Sequence, residues 1–264
     1  MLLTIRHTTQ YLFDAPVPYG LQRLRMTPKS RAGQRVVDWS TEIEGGKVEL
    51  GYTDQHNNHV DLVSALPGTT EITIVNAGTV ETTVRNGIVG PHGGFVPLWL
   101  FLRPTVLTRP GKGVAAITRG IDMKDTLAGL HALSAAVLEA LPYRAEDLDV
   151  HAAAEDAIAR GHGVCQDHTH IFITAARKLG VPARYVSGYL HVDGEDVHPA
   201  THAWAEAHVD GLGWVGFDVS NSICPDERYV RVATGLDYFG ASPASGLLYG
   251  HLSEKLIVSV IVEQ

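Results

Sequence analysis

Over residues 2–84 the chain alternates between apolar and polar side chains with a period of two. Leu3, Ile5, His7, Thr9 and Tyr11 share one parity, and the more polar Thr4, Arg6, Thr8 and Gln10 share the other. That is the spacing by which a strand sends successive side chains to opposite faces. Residues 21–26, 36–43, 60–66 and 71–75 are further candidates, separated by Gly, Pro and Asn signals, and together they predict an antiparallel, sandwich-like β-domain. The pattern fades over residues 86–120, where PHGG and RPGKG punctuate a connector. Then the period changes. Leu127, Leu130, Leu133, Val137, Leu138 and Leu141 mark one face of a helix over 126–141, with Asp125 or Thr126 as its cap and Pro142 after its end. A shorter helix over 152–159 stops at Gly161, and another over 165–179 is closed by Gly180 and Pro182. Residues 183–190, 201–209, 214–219 and 255–262 read as strands. The expected fold class is α+β, with an N-terminal domain and connector in 1–105 and a second domain in 106–264.

Composition narrows the functional classes. The chain is 45% hydrophobic and 19% charged over 264 residues, enough to bury a core without cross-links. A formal charge of -8 without a basic cluster points away from nucleic acid. No apolar run approaches the roughly 18–20 residues that span a bilayer, and the first residues read as a strand rather than a secretion signal. Two cysteines, Cys165 and Cys224, make no disulfide framework. The expectation is a cytoplasmic protein with no nucleic-acid or membrane partner, and Cys224 as a free structural thiol.

The chemistry concentrates after Gly161. The string GHGVCQDHTH sets Cys165 in the first turn of a helix, where unpaired N–H groups and a positive partial charge favour thiolate over thiol. The same donors, the Cys165 N–H first, could hold an oxyanion. Alone, a cysteine at a helix start is more often an inert core residue. A thiolate also needs a base that can later return the proton, and histidine has the suitable pKa. His202 begins a strand 37 residues on, and Asp218 ends the partner strand 16 residues after that, where it could fix the imidazole tautomer.

Strand parity tests that idea. With a four-residue turn, Asp210-Gly211-Leu212-Gly213, Asp218 would fall opposite Ala205 and face away from His202. Bringing both to one face requires an odd-length loop or a bulge, and the glycines at 211 and 213 make that shift the expected one.

Gly-His-Gly-Val-Cys-Gln-Asp at 161–167, Val-Pro-Ala-Arg-Tyr-Val-Ser-Gly-Tyr at 181–189, His-Ala-Trp-Ala-Glu at 202–206 and Gly-Trp-Val-Gly-Phe-Asp at 213–218 resemble the bacterial transglutaminase-like family. The resemblance extends to Ile5–Tyr11, Leu24–Pro28 and Gly235–Tyr238, nearly the whole chain. It implies a papain-like core, a Cys-bearing helix packed on an antiparallel sheet, with Cys165 as nucleophile, His202 as base and Asp218 as orienting carboxylate. The implied activity is acyl chemistry on a peptide or protein amide through a thioester, ending in hydrolysis or amine transfer, without cofactor. His168 stands where the family is usually aromatic, Val219-Ser220 replaces Pro-Thr, and Leu236 replaces a common Arg.

Competing readings surround these residues. His162, Cys165, His168 and His170 crowd nine positions, yet lack the ligand spacing of a zinc site, so no metal is expected. Trp204, His168 and Gln166 are candidate substrate-binding residues. Trp214 reads as a core aromatic; Tyr185, Ser187 and Tyr189 could face substrate or core; Glu206 could edge the site or lie on the surface. The rival to an enzyme is a non-catalytic peptide- or protein-binding module with a buried cysteine.

Overall fold

A computed structural model describes residues 1–144, 152–194, 197–198, 201–249 and 253–264. The initial alternation becomes β1, Leu2–Phe13, with Leu3, Ile5, His7, Thr9 and Tyr11 all buried. After it come β2, Tyr19–Leu24, β3, Gln34–Glu44, β4, Gly46–Thr53, β5, His59–Ala65, and β6, Glu71–Thr82. β4 has no counterpart among the predicted strands: it is open to solvent on both faces, so no apolar stripe announces it.

The connector also carries structure: β7, Ile88–Gly90, a 3₁₀ turn at Leu98–Leu102, and α1, Lys112–Ile117. α2, Thr126–Ala140, is capped by Asp125, whose carboxylate accepts from the Ala128 N–H at 3.0 Å. Its Leu130, Leu133 and Val137 are fully buried, each worth roughly 1.5–3 kcal/mol of apolar transfer. α3, Ala154–Arg160, ends on Gly161 in the left-handed region and leads into α4, Cys165–Lys178.

β8, Ala183–Leu190, the short β9, Val197–His198, β10, His202–Val209, β11, Gly213–Phe217, and β12, Tyr229–Gly235, follow. The central sheet runs β12-β8-β10-β11-β7, and every pairing in it is antiparallel. Against it lies α4, whose Ile171, Phe172, Ile173, Ala175 and Ala176 join Ala203, Ala205 and Ala207 of β10 in the largest core. Alanines at alternate positions of β10 let the helix come close.

The last elements are α5, Tyr238–Ala241, β13, Ala244–Tyr249, and β14, Glu254–Glu263. β14 pairs with β1 and β13 pairs with β2, giving sheets ordered β3-β6-β1-β14-β9 and β13-β2-β5-β4. The expected division after residue 105 therefore does not follow the sheets: the C-terminal strands complete the N-terminal ones, and β7 pairs with β11 of the central sheet. A sequence period reveals a strand but not a partner some 240 residues away. Among the described residues no helix is long and apolar enough to cross a membrane.

A second, smaller core holds the N-terminal sheet against the central one. Leu3 and Ile5 of β1, Val80 of β6 and Val260 and Val262 of β14 pack on Tyr189, Val230 and Val232. His7 enters this seam, its Nδ1 3.1 Å from the Tyr189 hydroxyl, and burial pushes it down to about 4, so it is neutral near pH 7.

Candidate active site

The helix that carries Cys165 has an unusual start. Val164 cannot cap it, having no polar side chain; instead Asp167, at the third helical position, accepts the Val164 N–H at 3.0 Å. Arg160 of α3 holds the same carboxylate oxygen at 2.7 Å. Gly163 is required beside it, because a Cβ there would lie 2.7 Å from Asp167 Oδ2. This leaves the first-turn N–H groups of α4, including that of Cys165, without helical acceptors. The far end is clamped by Arg177, which donates to the carbonyls of Phe101, Ala183 and Leu236 and to Thr108 Oγ1. Both ends of the thiol-bearing helix are thus fixed by side chains.

The β10–β11 hairpin has the odd-length loop that parity demanded. Val209 pairs with Gly213 around Asp210-Gly211-Leu212, and Ala205 pairs with Phe217. Gly211 and Gly213 take φ of +82° and +80°, values that strain other residues. Continuing the register sets Asp218 opposite Trp204, on the face shared with His202. The His202 Nε2 donates to Asp218 Oδ2 at 2.6 Å. That leaves Nδ1 as the other ring nitrogen of His202, and the Cys165 thiol lies close enough to bear on the charge of the imidazole. Cys165 is 8% exposed and the His202 side chain 15%, so the pair lies at the rim of the core and not in its middle.

The electrostatics favour a charged imidazole. Burial alone would pull His202 down; the Cys165 charge facing it, the hydrogen bonds to Asp218 and Cys165, and the Asp218 charge outweigh burial and raise it to about 10. For Asp218, burial pushes upward, but hydrogen bonds from His202, Asn221 and Tyr229 and the His202 charge hold it below the usual carboxylate range. Its Oδ2 accepts from Tyr229 Oη and Asn221 Nδ2, both at 2.7 Å, and its Oδ1 from the Asn221 N–H at 3.2 Å.

Asn221 and Tyr229 were not found from the sequence. Asn221, three residues past the aspartate, is within the reach of a local side-chain turn and could have been suspected. Tyr229 comes from a different strand, and nothing local points to it.

The other predicted residues scatter around this centre. Trp204 is buried, its ring stacked 6.2 Å from the His202 ring and edge-on to Tyr229 at 5.4 Å. Gln166 is half-buried and its Oε1 accepts from the Cys165 thiol at 3.2 Å. His168 has no exposure: its Nε2 donates to the Leu141 carbonyl and its Nδ1 accepts from the Ser220 hydroxyl, each at 2.7 Å. It ties the end of α2 to the segment just after Asp218, and burial lowers its pKa. His170 is buried, accepts from the Tyr238 N–H and is pushed down to about 3, chiefly by burial. Tyr185, Ser187 and Tyr189 are all buried. Trp214 packs with Phe101 and Val96, and Cys224 is a free, half-buried thiol. Among the described residues no three His, Cys, Asp or Glu side chains gather as they would around a metal ion.

Glu206 falls under neither expectation for it. Fully buried, it accepts from Arg184 at 2.6 Å and from Arg231 at 2.6 Å, and although burial opposes ionisation the guanidiniums hold it down at about 2.

Known proteins share this arrangement of sheet and helix. The chain is 29% identical over 278 residues to an uncharacterised protein of Mycobacterium leprae, covering 98% of this chain and 97% of that one. An uncharacterised Mycobacterium tuberculosis protein is 24% identical over 288 residues, covering 98% and 91%. The crystal structure of a "Putative Cysteine Protease" from Cytophaga hutchinsonii superposes with a TM-score of 0.78 at 20% identity, covering 100% of this chain and 91% of that one, which supports the fold. Residues 3–81 match the bacterial transglutaminase-like N-terminal region and residues 115–219 the transglutaminase-like superfamily core, so the chain belongs to the bacterial transglutaminase-like family.

Proposed function

We propose that the protein is a thiol-dependent enzyme that opens an amide or isopeptide bond in a peptide or protein, with Cys165, His202 and Asp218 as its catalytic residues. The observation that carries the reading is the His202–Asp218 bond of 2.6 Å on an imidazole whose charge the neighbouring Cys165 also favours. Three side chains from a helix start, a strand start and a strand end converge there, an arrangement with little structural use beyond proton transfer.

In the proposed cycle the Cys165 thiolate attacks the amide carbonyl carbon. The carbonyl oxygen gathers the charge, and the free first-turn N–H groups of α4 are suited to receive it. The His202 imidazolium then gives its proton to the departing amine as the C–N bond breaks, leaving a thioester. Water, or an amine, enters next; His202 takes its proton, and the acyl group leaves the sulfur. Asp218 stays ionised throughout and stabilises the imidazolium. Gln166, beside the sulfur, is proposed to line the acyl approach. Trp204 would exclude water from behind the imidazole. His168, closed in on both nitrogens, would act by positioning the segment that carries Asp218.

Incubation with a peptide library, read by mass spectrometry for wild type and Cys165→Ala, tests the reading. Products gaining the mass of water with wild type alone mark a hydrolase, and amine adducts mark a transferase. If neither forms, and iodoacetamide labels Cys165 no faster than Cys224 at mildly acidic pH, the chain is a binding module with a buried cysteine.

A further inference from the structure

Where the N-terminal β-structure meets the central sheet, on the face of β10 that carries Trp204 and Glu206, lies a polar cavity of about 250 Å³. Lys29 and Arg31, from the loop before β3, and His56 and Asn57, from the turn between β4 and β5, line one side; Arg184 and Arg231 line the other. A smaller cavity of about 70 Å³ shares Arg31 and Arg231 and reaches Glu206 and Trp204.

Among the described residues the charges do not balance. Three guanidiniums surround one carboxylate, Glu206, and two of them already saturate it: Arg184 through 2.6 Å, Arg231 through 2.6 and 3.1 Å. Arg184 also covers the Trp214 ring at 3.9 Å. Among the described residues Arg31 has no carboxylate partner, and its Nη1 is buried without a hydrogen-bond acceptor. His56 Nδ1, on the same cavity, is likewise buried and unmatched. Among the described residues Lys29 is met only by neutral oxygens, Asn57 Oδ1 at 3.1 Å and Thr53 Oγ1 at 3.5 Å. Asp54, in the same turn as His56, is already engaged by Arg25 at 3.3 Å. A buried positive excess of two is costly unless matched, and this one arises in a chain whose formal charge is -8. Two residues that line one cavity, Arg31 and His56, each hold a buried polar atom without a partner, a second, independent sign that the seam is incompletely matched.

We propose that this seam is a binding site for a phosphate-class dianion, held between Arg31, Lys29 and the Arg184–Arg231 pair. Guanidinium forks suit tetrahedral oxyanions, and two negative charges match the excess that Glu206 leaves. Because Lys29 and Arg31 come from the N-terminal sheets and Arg184 and Arg231 from the central one, the anion would fasten one to the other. The site is separate from the thiol and does not depend on the amide chemistry proposed above.

Isothermal titration of the full chain with inorganic phosphate at pH 7.5, against sodium acetate at matched ionic strength, is the test. Saturable binding of one phosphate per chain, with no saturable acetate heat, is expected. Arg31→Gln should weaken phosphate at least about tenfold, the loss of a charge-assisted contact, with circular dichroism and the iodoacetamide rate at Cys165 unchanged. Lys29→Gln, at a half-buried position, should weaken it less and carries the test if Arg31→Gln misfolds. No saturable phosphate binding by wild type, acetate binding as tight, or full affinity in both variants would each overturn the proposal.

Discussion

Two carboxylates on neighbouring strands of the central sheet are equally hidden from solvent and have opposite company. Asp218 faces one imidazole, one phenol and one amide. Glu206, four residues along β10 from that imidazole, faces two guanidiniums. A guanidinium does not give up its proton in the working range of a protein, whereas an imidazolium does. The first pair can therefore move a proton and the second can only hold position. Burial alone would have ranked them together; the identity of the counter-charge separates them.

The largest expected effect is at the titratable pair. His202→Ala should slow peptide turnover by roughly 10³-fold or more, measured as kcat/KM, with the thermal midpoint little changed. A comparable melting loss would mean that His202 is a structural partner like Arg184. Glu206→Gln inverts the pattern. Leaving two guanidiniums unmatched should cost about 3–5 kcal/mol of stability, visible in urea unfolding, while the folded fraction labels at Cys165 at the wild-type rate. An unchanged unfolding midpoint would contradict the locking role.

Asp218→Asn should come next, with a rate loss smaller than that of His202→Ala and a shift in pH dependence. His202 is raised to about 10 from an ordinary 6.5. Its contribution to stability is therefore complete below about 6.5 and disappears as pH climbs through about 10. Asp218 is held low, so its contribution is present above its ordinary value near 4 and fails as pH drops through its folded value. Imidazole NMR titration should find His202 losing its proton near 10 in wild type and clearly lower in Asp218→Asn. An unmoved midpoint would assign the shift to Cys165 alone. Smallest is Tyr229→Phe, which removes one of several donors to Asp218. It should cost about tenfold in rate, with the carboxylate titrating higher than in wild type.

The legibility of the two regions differed in the same way. The grouping of Cys165, His202 and Asp218 could be anticipated because its members occupy element boundaries: a helix start flagged by Gly163 and Cys165, and strand ends whose parity, with Gly211 and Gly213 at the turn, required an odd-length loop or a bulge. The Glu206 cluster could not, since Arg31, Arg184 and Arg231 lie on three segments with no shared spacing. β1 and β14 were visible from alternation alone, but their mutual pairing was not. β4, exposed along its length, and β13, hidden in ASPASGLLYG, offered no apolar stripe. The buried histidines of α4 misdirect for a related reason. His168 looks like a ligand or pocket residue until its two acceptor and donor partners, Ser220 and Leu141, are seen.

The pairing of first strand with last bears on biosynthesis. As the chain emerges from the ribosome, β1 can zip onto β6 early, but its other flank stays unclaimed until β14 is made, after every helix and the whole central sheet. For that interval an apolar, hydrogen-bond-ready border is on offer to any passing strand. Nascent copies truncated before Glu254 should therefore clump where the finished chain does not, and late closure of that border is the step at which chaperone dependence would be felt.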